Sequence, residues 1–218
     1  MRRAVAAAVG LAVLIVSTAA AQQTGVGADI ELLQRADAAR SITTPTANVT
    51  IEEFVDFACS HCANFHRQRA DSLQALVEAE NLNLTIRMFP IPRLMRGFQA
   101  AEAAFCAAAH MGRLGFMGML KQLFENQSAW SQTLDPTPIF ETYARNIGAP
   151  LEAYRDCVAR DAMAPLIVND VRIAKDLNVR GTPTFVFNKP GEMVGDEQFY
   201  SPESMAPFLE SIERVRNR

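Results

Sequence analysis

The 218-residue sequence has no run of lysine and arginine, no internal repeat and no low-complexity stretch beyond residue 21. Nucleic-acid binders carry a basic patch to meet phosphate. Here 21 basic residues face 24 acidic ones without clustering, so no nucleic-acid partner is expected. Past the N-terminal run, no stretch reaches the ~20 apolar residues of a membrane-spanning helix. Histidine and cysteine are scarce, at three and four. A closed zinc site takes four ligands, usually from two clusters. Cys59, Cys62 and His66 can supply three, but Cys106, Cys157 and His110 are isolated, so no metal is expected. Haem c attachment needs histidine directly after the second cysteine, and residue 63 is alanine. No other cofactor is implied. What is present, 49% hydrophobic and 21% charged residues, describes a globular chain rather than a disordered one.

The N-terminus stands apart. Arg2 and Arg3 precede an apolar run, Ala4–Val16, and Ala19 and Ala21 fit a cleavage site before Gln22. Residues 1–21 are therefore expected to be a signal peptide. An uncleaved anchor would require a longer, less alanine-rich run, and no cysteine follows the site to carry a lipid. The mature chain is expected in the periplasm or otherwise outside the cytosol, where glutathione does not hold thiols reduced. Without Arg2 and Arg3 it carries 19 basic and 24 acidic residues, a net −5.

The chain is organised around Glu53–His66, EFVDFACSHCANFH. An apolar, aromatic strand runs into a helix, with Cys59 at the helix edge and Cys62 one turn inside. A helix N-terminus offers unpaired N–H groups and partial positive charge. A thiolate there is stabilised, which predicts a depressed pKa and a nucleophilic role for Cys59. His61, between the cysteines, can add a cation or a donor. In the strand Val49–Phe57, Glu53 shares a face with Val49, Ile51, Val55 and Phe57, so it is either salt-bridged or buried near the chemistry. Glu52 and Asp56 fall on the opposite row and look less unusual.

Around this centre, residues 22–48 form a lead-in. Asp29–Arg40 has weak helical character, fit for a short helix or a partner contact, and Ser41–Asn48 reads as a loop. The helix from Cys59 to about Ala79 has Phe65, Leu73, Leu76 and Val77 on its core side. Leu82–Phe89 alternates as a strand and ends at Pro90 and Pro92. From about Leu94 to Asp161 the pattern is helical, and the Phe116, Met117, Leu120, Leu123, Phe124 stripe reads as core. Asp135-Pro136 starts one helix and Gly148 ends it. Ala164–Leu177 is another, with Pro165 in its first turn. Gly181-Thr182-Pro183 then precedes a β-prone run, predicting a tight turn and a possible cis bond. Met193-Val194 is a candidate hairpin partner, and Ser201-Pro202-Glu203 caps a final helix to about Arg216.

In FVDFACSHCANF (54–65), FPIP (89–92), AEAAFCAAA (101–109) and GTPTFVFN (181–188), over nearly the whole mature chain, the sequence resembles the DsbA-like thiol–disulfide oxidoreductases. The resemblance implies an α/β thioredoxin fold, residues 49–92 and 164–218, with an inserted α-helical domain, residues 93–163. It implies Cys59 as nucleophile, Cys62 as resolving cysteine and Pro183 as the cis-proline beside them. It implies Thr182 as the backbone partner of an extended substrate peptide, which would add a strand without reading sequence closely. It also implies Glu53 as a buried acid moving protons to the resolving thiol, His61 as part of the oxidase dipeptide, and Cys106–Cys157 as a second disulfide in the insertion. Ser60 departs from the proline of the best-known oxidases. The function implied is an exported oxidase acting on reduced or misoxidised exported proteins, with a membrane partner for reoxidation. Two alternatives stand beside it: an isomerase or reductase on the same fold, and a thiol-based metal-binding or chaperone module.

Overall fold

The computed structural model describes residues 27, 29–94, 96–192, 198–200 and 203–218. The expected signal peptide lies outside the described residues, as do Met193-Val194 and residues 201–202 of the expected final cap.

Five strands form one mixed sheet: β1 (Ser41–Ile42), β2 (Thr50–Val55), β3 (Asn83–Met88), β4 (Thr184–Asn188) and β5 (Gln198–Tyr200), in the spatial order β1-β3-β2-β4-β5. β2 and β3 run parallel, so their connection must cross the sheet, and α2 (Ser60–Ala79) does so. β4 pairs antiparallel with β2, placing Thr184 opposite Phe54 and Phe185 opposite Glu53. This is a thioredoxin fold. Because the side-chain period of a strand is two, each row of β2 meets a different layer. Val49 and Ile51 join Phe65, Leu73 and Val77 of α2 and Phe208, Ile212 and Val215 of α9 (Ala206–Arg216). Phe54 packs on the other face with Ala174 of α8 (Ala164–Asp176) and with Leu177 and Val179.

Between β3 and α8 the chain builds a helical layer: α3 (Gly97–Met111), α4 (Arg113–Glu125), α5 (Gln127–Trp130), α6 (Thr137–Asn146) and α7 (Leu151–Ala159). The alanine run of α3 now has a reason. Residues 100–109 are all buried, Glu102 among them, and α3 is surrounded by α4, α6, α7 and α8. Small side chains let four helices approach one axis, and a helix apolar all round is a buried helix. A disulfide joins Cys106 of α3 to Cys157 of α7. α6 ends at Asn146, and Gly148 just beyond it takes a φ of +81°, which suits glycine; the next N–H, on Ala149, donates to the Ala144 carbonyl at 2.9 Å.

Two expectations need correction. Ser41–Asn48 is not all loop: Ser41 and Ile42 pair antiparallel with Thr85 and Leu84 on the sheet edge. Two residues are too few to show a period, so nothing local marks them. The final helix starts at Ala206, later than Ser201–Glu203 implied. Pro207 sits in its first turn, where a missing N–H costs nothing, and that proline rather than Pro202 marks the start.

The lead-in belongs to the fold. Residues 29–39 form α1, and Ala36 and Ala39 are buried in the helical layer's core. Behind them Arg40, 2% exposed, donates to the Asp170 carboxylate of α8. Asp170 also accepts from Arg87 (3.1 Å) and from the Met88 N–H (2.9 Å), and Arg87 pairs with Glu52. Buried charges persist only when paired and hydrogen-bonded. Glu52, read as unremarkable, is thus 5% exposed and belongs to a buried ionic network across the back of the sheet.

Candidate active site

β2 stops at Val55 and the chain turns through Asp56 to Ala58. The Cys59 N–H donates to the Asp56 carbonyl (3.0 Å) and the Ala63 N–H to the Cys59 carbonyl (3.1 Å), which fixes Cys59 as the N-cap of α2 in an extended conformation. No side-chain oxygen caps this helix. The first-turn N–H groups are therefore free for the sulfur. Gln127 of α5 holds the turn from outside, its amide donating to the carbonyls of Phe57 (2.6 Å) and Cys59 (2.9 Å). Nothing in the sequence marked Gln127, because the bond spans 68 residues and is made by an ordinary polar side chain.

Cys59 and Cys62 are both free thiols here, 7% and 0% exposed. Their environments push them apart. The Cys62 thiol hydrogen-bonds the Cys59 sulfur, and Thr182 and the backbone N–H groups of Cys62 and His61 add to it. Together they outweigh burial and hold Cys59 down at about 5. Burial first, and then the bond to Cys59, push Cys62 well above the ordinary thiol value. One sulfur is ready as a thiolate while its partner keeps its proton. The His61 side chain is exposed, and His61 reaches Cys59 through its backbone N–H. Ser60 is exposed at the first helical position.

The distant Gly-Thr-Pro turn meets this helix end. The Thr182–Pro183 peptide bond is cis, and the Cys59 thiol donates to the Thr182 carbonyl at 3.3 Å. Thr182 is 3% exposed, and the Thr184 hydroxyl donates to the Gly181 carbonyl (2.8 Å), closing the turn.

Glu53 is fully buried, in the row its spacing assigned. It stands between two apolar groups, Val49 and Ile51 on one side and Val55 and Phe57 on the other. Its partner is His66, whose Nε2 lies 2.9 Å from Oε1 but off the line of a hydrogen bond. His66 lies one turn beyond Cys62 on α2 and stacks on Phe124 at 4.4 Å between centroids. The pair borders a cavity of about 590 Å³ between the sheet, α2 and α4, whose wall includes Arg67, Arg113, Met117 and Leu120. Met117, counted with the core stripe, is half-buried at this wall, whereas Phe116, Leu120, Leu123 and Phe124 are buried.

Asp56 was read as unexceptional, and the structure corrects this. It is 1% exposed, and burial raises its carboxyl to about 7 against the N–H groups of Ile91 and Ala58 that bond it. The strand pattern missed it because the strand has already ended, so its row has no meaning at that position. Among the described residues, no three His, Cys, Asp or Glu side chains converge as a metal site.

A CxxC at the N-terminus of α2, facing a cis-proline turn that leads into β4, defines the thioredoxin class. The chain belongs to that family: its model, described as thioredoxin, matches residues 36–210. The fold is that of DsbA proteins. Alpha-DsbA1 of Wolbachia pipientis superposes with a TM-score of 0.67 at 20% identity, covering 82% of this chain and 90% of that one. Oxidised BdbD of Bacillus subtilis gives 0.66 at 16% identity, covering 82% and 93%. A provisionally named protein-disulfide oxidoreductase of Rickettsia prowazekii (strain Madrid E) is 25% identical over 144 residues, 65% of this chain and 51% of that protein. The chain thus spans about half the length of this curated relative.

Proposed function

We propose that this chain is a thiol–disulfide oxidoreductase of the DsbA-like type, working as an oxidase. The observation that carries the proposal is the divergence of the two thiols, Cys59 held at about 5 and Cys62 pushed up. In the oxidised enzyme, a substrate thiolate attacks the Cys59 sulfur and breaks the Cys59–Cys62 bond, forming a mixed disulfide. Cys62 takes a proton, and a second substrate thiolate then displaces Cys59 as a thiolate. A good leaving group at Cys59 speeds that release and favours the reduced enzyme, which makes the couple oxidising. The Thr182 backbone and the cis Pro183 turn beside Cys59 suit an extended substrate strand. The substrates are reduced or misoxidised exported proteins, and reoxidation falls to a membrane redox partner. Export is supported by the signal-like residues 1–21; among the described residues, no helix is long and apolar enough to cross a membrane.

The reduction potential of the Cys59–Cys62 couple tests this reading. It is expected well above thioredoxin's roughly −270 mV and toward the oxidising end near −120 mV. A potential at or below thioredoxin's overturns the oxidase assignment in favour of a reductase.

Glu53, on this reading, passes protons to and from Cys62 with His66 beside it on the cavity side. Glu53→Gln keeps the shape and removes the charge. Resolution of the mixed disulfide is expected to slow by roughly a hundredfold, the lower end for a positioned acid or base. The melting temperature should change little, because ionising a buried carboxyl is itself costly. Stopped-flow reduction of a mixed disulfide, beside a thermal melt, separates the two effects. Unchanged resolution removes Glu53 from the mechanism.

A further inference from the structure

Asp56 stands where the reactive turn, the loop after β3 and the helical layer meet. One carboxylate oxygen accepts the Ala58 N–H and the other the Ile91 N–H, both at 2.8 Å. Its carbonyl accepts the Cys59 N–H, and a backbone hydrogen bond from Asp56 reaches the Cys62 sulfur. Gly97, the first residue of α3, exists to admit this carboxylate: a Cβ there would lie 2.2 Å from Oδ1. From α2 the titratable group it faces is Cys59, and Cys62 meets its main chain; from the β3 loop and α3 it meets a backbone N–H and a glycine. Asp56 is therefore a buried acid whose one nearby variable charge is the Cys59 sulfur, negative as a thiolate and neutral in a disulfide.

We propose that Asp56 binds a proton when the Cys59–Cys62 disulfide is reduced and releases it when the disulfide re-forms. This rests on the redox reading of the two cysteines and adds a proton balance to it. Reduction by a dithiol moves two electrons to the enzyme, breaks the Cys59–Cys62 bond and forms a disulfide in the reductant. The reductant gives up two protons. One goes to Cys62. Cys59 remains a thiolate, so the second proton either goes to solvent or binds the carboxylate that the new thiolate repels. Burial does most of the work of bringing Asp56 to about 7, and the thiolate adds to it, so the proton binds on reduction in a window just below that value. Asp56 does not touch substrate; it is a positioning residue that links proton binding to the redox state.

The test is the number of protons released when dithiothreitol reduces the full-length oxidised protein in weak buffer with a pH indicator, corrected for the reductant's own ionisation. At pH 8 the wild type is expected to release about one proton per disulfide, because Asp56 is ionised in both states. As pH falls through the window below about 7, release should dip below one proton and below that of Asp56→Asn. Asp56→Asn should release about one proton throughout. Gly97→Ala, which displaces the carboxylate without removing it, should move the dip along the pH axis. A wild-type release that stays at about one proton from pH 8 to pH 6 overturns the proposal, and this arm needs no variant to fold. A chain whose cysteines consume no dithiothreitol would instead overturn the redox reading itself, so the two failures are distinguishable.

Discussion

Cys59→Ser is expected to reduce dithiol oxidation to the uncatalysed rate, whereas Cys62→Ser is expected to trap substrate as mixed disulfide. The asymmetry follows from position. Cys59 has the backbone N–H groups of His61 and Cys62 and the Cys62 thiol on its sulfur, and it retains slight exposure. Cys62 is fully buried, so substrate cannot reach it first. Removing Cys59 leaves no accessible sulfur to attack. Removing Cys62 leaves an attacking sulfur at Cys59 with no thiol in the site to release the adduct. Turnover on a reduced peptide reads the first outcome; mass spectrometry of both variants under non-reducing conditions, after incubation with a disulfide-bonded peptide whose S–S bond the remaining thiolate breaks to form the adduct, reads the second. Normal turnover in Cys59→Ser, or adducts on Cys62 in that variant, would reverse the roles.

The second large effect is on stability. Replacing both Cys106 and Cys157 by alanine is expected to destabilise the protein by at most roughly 4 kcal/mol. That is the chain-entropy value for a bridge closing a sequence separation of 51. Both residues are buried, on α3 and α7, so the bridge ties the central helix of the inserted layer to its last one. Oxidation by Cys59 and Cys62 should persist below the lowered melting temperature. Denaturant unfolding of the double variant, together with peptide mapping of unreduced wild-type protein, decides it. Free thiols at both positions in air-oxidised protein, or a variant as stable as the wild type, would remove the bridge from the account of stability.

Periodic signals are legible in a local stretch of sequence. The alternation of β2 placed Glu53 among apolar neighbours, and the structure buries it there. Phe65, Leu73 and Val77 of α2 face the core as their spacing requires. Asp56 shows the limit, since alternation says nothing of a residue one step past the strand end. Glu52, Arg87, Asp170 and Arg40 show another. Each looks like a surface charge in its own segment, and they come from a strand, the next strand, a late helix and the lead-in.

The chemistry on offer is legible in the sequence: two thiols one helical turn apart at a strand–helix junction, a Gly-Thr-Pro turn, and a helical block between the two. These are carried by short runs of residues whose spacing has direct physical meaning. How far the thiols diverge is set by packing in three dimensions. That divergence comes from the Cys62 thiol's bond to the Cys59 sulfur and from the complete burial of Cys62, with the Thr182 side chain, 123 residues beyond Cys59 and carried to the site by the pairing of β4 with β2, adding to the lowering of Cys59. The same packing gave Glu53 its His66 partner and made Asp56 a buried acid beside the reactive turn. Desolvation and charge proximity depend on what surrounds a group in space, and a linear pattern does not carry that information.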